Sequence, residues 1–161
     1  MKTLLIVYHS RTGGAEQMAR AALIGAQTDS DARLLRAEET GPGDLLAADG
    51  FLFVAPENLA ALSGAMKDFF DRCYYPVLGK LEGRPYGLMI CAGSDGENAV
   101  RQTARIATGW RLKQVHAPLI ILTDAQTPAE ILAPKHISAA DLKACQEIGE
   151  TLATGLSMGI F

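Results

Sequence analysis

The segment that follows the first apolar run combines hydroxyl groups, a guanidinium and two glycines: His9, Ser10, Arg11, Thr12, Gly13 and Gly14. The apolar run is Thr3–Tyr8, and a helical pattern begins directly after the segment. A helix N-terminus binds anions because its first N–H groups are free and its dipole favours negative charge. The two hydroxyls would add donors, and the glycines would let the backbone approach an anion closely. The segment therefore predicts a phosphate-binding loop or a plain turn in which Thr12 caps the helix.

Two further segments place polar and flexible residues after apolar runs. Residues 56–64 include Pro56, Glu57, Asn58, Leu59 and Ser63, and residues 91–98 include Gly93, Ser94, Asp95 and Gly96. In a parallel sheet the strand ends that precede such segments meet at one edge, where ligands bind. With residues 9–14, the two segments predict one site with a phosphate end and a flat polar end. Ordinary turns also contain glycine and asparagine, so each segment alone fits both interpretations.

The elements that must position these segments alternate along the chain. Periodicity predicts strands at 3–8, 31–37, 51–55, 84–92 and 112–123, and helices at 14–27, 43–48, 63–75, 98–111 and 139–156. Pro118 interrupts the last strand, which predicts an edge position with a break or bulge. This alternation indicates an α/β fold: a single domain over residues 1–161, with a five-stranded parallel sheet and helices on both faces.

Composition excludes several classes of protein. The chain of 161 residues is 48% apolar and has a net charge of −3, with no Lys/Arg cluster, so we expect no nucleic-acid partner. The sequence contains no apolar run long enough to predict a membrane span, and residues 1–8 are too short for the apolar region of a signal peptide. Cys73, Cys91 and Cys145 lack metal-binding spacing and suit a reducing cytoplasm, where we expect the protein. Residues 9–14 contain neither a cysteine nucleophile nor the Gly-Lys-Ser/Thr of a nucleotide-binding P-loop.

The chain resembles the flavodoxin-like fold and, within it, the FMN-dependent NAD(P)H oxidoreductases related to the tryptophan-repressor-binding-protein type quinone reductases. The resemblance is carried by residues 9–14, by 56–58 with 63–71 and by 92–96, and it spans nearly the whole chain. It implies a three-layer sandwich with strand order 2-1-3-4-5, FMN as cofactor and NADH or NADPH as reductant. It also implies a quinone-like or other small electron acceptor and a dimer or tetramer.

The resemblance further implies a role for each residue of the three segments. The FMN phosphate would be held by Ser10, Arg11, Thr12, Gly13 and Gly14. The ring and ribityl chain would contact Pro56, Glu57, Asn58, Leu59 and Ser63, and the pyrimidine edge would contact Gly93, Ser94, Asp95 and Gly96. Because the flavin carries the redox step, no catalytic side chain is expected.

The chain departs from electron-carrier flavodoxins in charge and in aromatic content. Those proteins are usually strongly acidic and often stack aromatic side chains on the flavin, whereas residues 56–64 and 92–98 contain no Phe, Trp or Tyr. The missing aromatic stacking and the modest negative charge favour a reductase over a one-electron carrier. A flavodoxin-type electron carrier without its own NAD(P)H-oxidising activity is the alternative, and a flavin-free interaction domain is a third hypothesis. Residues 124–136 form a long segment that fits either a lid or a subunit contact.

Overall fold

The computed structural model describes residues 1–161 and contains seven strands and six α-helices. The strands are β1 (Thr3–Tyr8), β2 (Asp31–Arg36), β3 (Gly50–Asn58), β4 (Ala61–Leu62), β5 (Pro85–Ala92), β6 (Lys113–Gln114) and β7 (Leu119–Leu122). The helices are α1 (Gly14–Ala26), α2 (Pro42–Ala47), α3 (Gly64–Val77), α4 (Glu97–Gly109), α5 (Pro128–Leu132) and α6 (Ala139–Met158). None of the helices combines the length and apolar character needed to cross a membrane.

The strands of the main sheet are parallel and follow the order β2-β1-β3-β5, with β6 and β7 both paired to the far side of β5. This confirms the predicted order 2-1-3-4-5. The fifth position confirms the predicted edge strand with a break at Pro118, and its bounds differ from those predicted because residues 112–123 form two short strands. Pro118 lies between them, and a proline has no N–H to donate to a sheet.

The third strand also differs from the prediction, because it continues past Ala55 to Asn58 and turns back as a hairpin. Asn58 pairs with Ala61 in an antiparallel register. The two residues between them, Leu59 and Ala60, have left-handed φ angles of 52° and 59°. The segment that the sequence placed in a loop is therefore an ordered extension of the sheet.

Helices cover both faces of the sheet, as predicted, and two apolar clusters fill the space between the layers. α1 and α6 lie on the same face and approach each other at Gly25 and Gly149. A Cβ atom on Gly149 would collide with the carbonyl oxygen of Ala22, and one on Gly25 would collide with that of Gln146. This close packing fixes α1 and therefore the position of its N-terminus.

Candidate functional site

The loop between β1 and α1 leaves several N–H groups without protein acceptors. Ser10 Oγ accepts a hydrogen bond from the Gly13 N–H at 3.1 Å, and Gly13 has a left-handed φ of 96°. The N–H groups of Arg11 and Thr12 have no backbone acceptor, and those of the first turn of α1 have none within the helix. The loop thus presents unpaired donors at the positive end of a helix, an arrangement that binds anions.

Gly14 is required for packing of α1 against the sheet. A Cβ atom at this position would lie 2.7 Å from Cys91 Sγ, at the end of β5. Burial raises the pKa of the Cys91 thiol to about 11, so the group is neutral at physiological pH and packs as a small apolar side chain. The structure thus places Gly14 against the core, whereas Gly13 shapes the loop.

A cavity of about 470 Å³ opens beside this loop, at the carboxyl ends of the strands. Its walls are formed by Arg11, Thr12, Pro56, Glu57, Asn58, Leu59, Gly93, Ser94, Ala125, Ile131 and Leu132. Residues from all three sequence-predicted segments therefore meet at one cavity. The remaining residues predicted for the site are not part of the cavity wall: Ser10, Gly13, Gly14, Ser63, Asp95 and Gly96.

Side-chain hydrogen bonds join the β3–β4 hairpin to the start of α4. Glu57 Oε2 accepts from the Gly96 N–H at 2.7 Å, Asn98 Nδ2 donates to the Ala60 carbonyl at 2.7 Å, and Gln102 Oε1 accepts from the Leu62 N–H at 2.7 Å. Partial burial, together with the charge of Asp95, raises the pKa of Glu57 despite the opposing hydrogen bond from Gly96. These bonds fasten the hairpin, whose residues 56–59 form a wall of the cavity, to the N-terminal part of α4.

Ser63 lies behind this wall and is fully buried. Its Oγ lies 2.8 Å from His9 Nδ1, and its N–H donates to the Pro56 carbonyl at 3.2 Å. Burial lowers the pKa of His9, although the nearby Glu38 carboxylate opposes this effect. Ser63 thus connects the hairpin to the first loop instead of facing the cavity.

Asp95 is exposed, and its carboxylate accepts a hydrogen bond from the Glu97 N–H at 3.2 Å. The bond lies at the first turn of α4, where a carboxylate is favourable because the helix dipole is positive there. Asp95 therefore stabilises the start of α4 beside the cavity.

The segment after β7 forms the remaining part of the cavity and is attached to the first loop through Gln17. Gln17 Nε2 donates to the carbonyls of Gly13 and Lys135 at 2.9 and 2.8 Å, and its Oε1 accepts from the Ile137 N–H at 3.1 Å. The Lys135 N–H donates to the Thr12 carbonyl at 2.9 Å. Sequence reasoning missed Gln17 because its partners in the later segment are more than a hundred positions away.

Removing this attachment is expected to release residues 135–137. Gln17→Ala leaves the Ile137 N–H and the Lys135 carbonyl without partners, which costs about 1–3 kcal/mol, whereas the Gly13 carbonyl still accepts from the backbone N–H of residue 17. We expect hydrogen exchange at the Ile137 amide to accelerate by at least about tenfold, as such a loss implies. The control is Gln27→Ala, because Gln27 is exposed, and it should leave the Ile137 rate unchanged. Equal rates in both variants would contradict the attachment.

The hairpin turn is expected to be strained at Ala60. An L-residue in the left-handed region costs about 1–2 kcal/mol, and glycine avoids this cost. Ala60→Gly should therefore raise the free energy of unfolding by about 1 kcal/mol in urea denaturation. Ala61→Gly, in the extended β4, should lower it by about 0.5–1 kcal/mol. A shift of the same sign in both variants would rule out strain at the turn.

One protein family and two curated relatives match parts of this chain. The family described as NADPH-dependent FMN reductase matches residues 43–126, which is just over half of the chain. A flavodoxin of Aquifex aeolicus (strain VF5) is 36% identical over 96 residues, covering 58% of this chain and 50% of that protein. An NAD(P)H dehydrogenase (quinone) of Acidithiobacillus ferrooxidans is 32% identical over 94 residues, covering 45% of this chain and 47% of that protein. The chain spans about half the length of these two curated relatives.

Solved structures show the same fold at low sequence identity. A flavodoxin from the domain Archaea superposes with a TM-score of 0.74 at 16% identity, covering 96% of this chain and 98% of that one. A WrbA-like flavodoxin from Agrobacterium tumefaciens superposes with a TM-score of 0.71 at 20% identity, covering 98% and 99%. The fold is therefore flavodoxin-like, and the family match runs from α2 through the hairpin to the segment after β7. The chain belongs to the NADPH-dependent FMN reductase family.

Proposed function

We propose that this chain binds FMN in the cavity beside α1 and passes electrons from NADPH or NADH to a small acceptor such as a quinone. The observation that carries the proposal is the polarity of the cavity, which has donors at Arg11 and Thr12 and apolar side chains at Leu59 and Leu132. FMN has a phosphate at one end and a flat ring at the other, so it fits this donor set. When bound, FMN would supply hydride transfer at N5.

The first loop would hold the phosphate largely through neutral donors. Ser10 Oγ already accepts from Gly13, so its hydroxyl proton remains available to an anion. The Thr12 hydroxyl and the free N–H groups of Arg11, Thr12, Gly14 and Ala15 would complete the set. Arg11 takes part in none of the ion pairs of the structure, so its guanidinium is available to balance the phosphate charge.

The other two segments would contact the ring directly or position the residues that do. Pro56, Glu57, Asn58 and Leu59 would contact it from the hairpin, and Gly93 and Ser94 from the loop after β5. The three remaining predicted residues of these segments would act indirectly: Ser63 anchors the hairpin, Asp95 stabilises the start of α4, and the Gly96 N–H donates to the Glu57 carboxylate. No side chain is assigned a proton-transfer step.

A second candidate function is a flavodoxin-type electron carrier that does not oxidise NAD(P)H itself. The flavodoxin among the curated relatives favours it. The absence of aromatic residues from the cavity lining and the modest net charge of −3 favour the reductase instead. The two candidates require the same cofactor site and differ in whether a nicotinamide reaches the flavin.

The test is an FMN titration followed by anaerobic mixing of the complex with NADPH and, separately, with NADH. Saturable binding measured by flavin fluorescence anisotropy, and bleaching of the flavin absorbance by either nucleotide, would support the reductase. Binding without bleaching would identify an electron carrier. A protein that binds no FMN at tens of micromolar, an affinity weaker than roughly −6 kcal/mol, would overturn both candidates.

A further inference from the structure

α5 contributes no buried residue to the core, yet both of its ends are fixed by hydrogen bonds. At the N-terminus, Thr127 Oγ1 accepts from the Glu130 N–H at 3.3 Å, and the Glu130 carboxylate accepts from the Thr127 N–H at 3.1 Å. At the C-terminus, Lys135 Nζ donates to the carbonyls of Glu130, Ile131 and Ala133 at 2.7–2.8 Å. These bonds stabilise the helix from within, and two further bonds at Lys135 attach its C-terminal end to the rest of the fold: the Lys135 N–H donates to the Thr12 carbonyl, and the Lys135 carbonyl accepts from Gln17 Nε2.

The side chains that α5 presents to the cavity are apolar and exposed. Ile131 and Leu132 both line the cavity, and they are 50% and 63% exposed. On the hairpin, Leu59 lines the same cavity and is fully exposed. Its left-handed turn is held by the hydrogen bond from Asn98 to the next residue, Ala60. Two separately fastened elements therefore hold large aliphatic side chains in water around one cavity, which is unfavourable unless a ligand covers them.

We propose that Leu59 and the pair Ile131–Leu132 clamp the flavin ring between aliphatic side chains. The inference rests on the proposed function, and it assigns a role to the segment after β7. The ring is the occupant because the same cavity continues to the donors at Arg11 and Thr12, so one molecule with a phosphate end and a flat apolar end satisfies both. A second copy of the chain would cover the aliphatic side chains but leave those donors unexplained.

The chemistry of the clamp gives it a spectroscopic signature. Tryptophan or tyrosine in contact with an excited flavin donates one electron to the ring and recovers it on recombination, and this cycle suppresses flavin fluorescence. The cavity is lined by neither residue. Flavin bound to the wild-type protein should therefore stay fluorescent, and a tryptophan placed in the clamp should quench it.

The experiment compares Leu59→Trp and Leu132→Trp with the control Leu46→Trp. Leu46 is 40% exposed and lies on α2, outside the cavity. FMN binding is first confirmed for every variant by equilibrium dialysis read by flavin absorbance, which quenching does not affect, and circular dichroism confirms the fold. We expect the two clamp variants to lose most of the emission of bound flavin and the control to keep it. Leu59→Ser and Leu132→Ser should each weaken FMN binding by about tenfold, as expected for one lost leucine contact.

The outcomes separate the clamp from the proposed function. If the wild-type protein binds no FMN, both are overturned. If FMN binds but the clamp variants emit like the control, the cofactor site stands and the clamp is wrong. The clamp is also wrong if the serine variants keep their FMN affinity and instead dissociate an oligomer of the wild-type protein in sedimentation, because the side chains would then cover a second copy.

Discussion

Thr12→Glu is expected to abolish FMN binding while leaving the fold intact. Thr12 lines the cavity at the donor-rich end, and its side chain is only partly buried, so a longer side chain causes no collision with the core. A carboxylate about 4 Å from a phosphate repels it by roughly 4 kcal/mol at an effective dielectric constant of 20, which corresponds to about 1,000-fold in affinity. The measurement is the FMN dissociation constant obtained by anisotropy titration, with unfolding in urea as the check on stability.

The control for this variant is Thr28→Glu, which adds the same charge beyond the other end of α1. Thr28 is exposed and lies outside the cavity lining. The FMN affinity of Thr28→Glu should match that of the wild-type protein. If Thr12→Glu bound FMN as tightly as its control, the phosphate would have to lie elsewhere, and the assignment of the first loop would be wrong.

Gly149→Ala is expected to produce the largest loss of stability. The added methyl group would collide with the carbonyl of Ala22, which belongs to the backbone of α1 and cannot rotate away. Overpacking of this kind costs about 3 kcal/mol, and for a domain of this size that corresponds to a fall in Tm of roughly 6–12 °C. Chemical denaturation and a thermal melt of the same samples would measure both quantities.

The matched control is Gly43→Ala, also a glycine within a helix. A Cβ atom at Gly43 meets no other atom within 4 Å. Alanine should therefore raise the free energy of unfolding by about 0.5–1 kcal/mol through its helix propensity and the lower entropy of the unfolded chain. Equal stability of the two variants would show that α1 and α6 separate at little cost.

Local patterns predicted the elements that carry the site. Thr3–Tyr8 is a continuous apolar run, and its strand matches the predicted bounds because both of its faces are buried. The helix after Ser63 shows an apolar face at Met66, Phe69 and Phe70, and it forms as α3. The general rule that the carboxyl ends of parallel strands meet at one edge predicted that the three segments lie together, and residues from all three line the cavity.

The hairpin was missed because its local sequence opposes it. A two-residue turn of this type normally contains Asn-Gly or Asp-Gly, whereas Leu59 and Ala60 occupy it here. Pro56 also argues against a continuing strand. The turn is supported by Asn98 and Gln102, about forty residues later, and a short sequence window carries no information about such partners.

α5 could have been recognised from the sequence, unlike the hairpin. Thr127 is followed by proline and, three positions after the threonine, by Glu130, which together form a capping box. The helix is only five residues long, so its apolar residues show no periodicity. Its place beside the cavity depends on Gln17 and Lys135, whose bonds only the folded chain reveals.

The break in the last strand has a consequence for how molecules of this protein meet one another. An open sheet edge exposes a row of N–H and C=O groups on which another chain can form a further strand, and amyloid-like aggregation begins in this way. Here that edge is divided into strands of two and four residues on either side of Pro118. The opposite edge, β2, carries Asp31, Arg33 and Arg36. Neither border offers a long apolar template, so we expect neither sheet edge to start edge-to-edge aggregation.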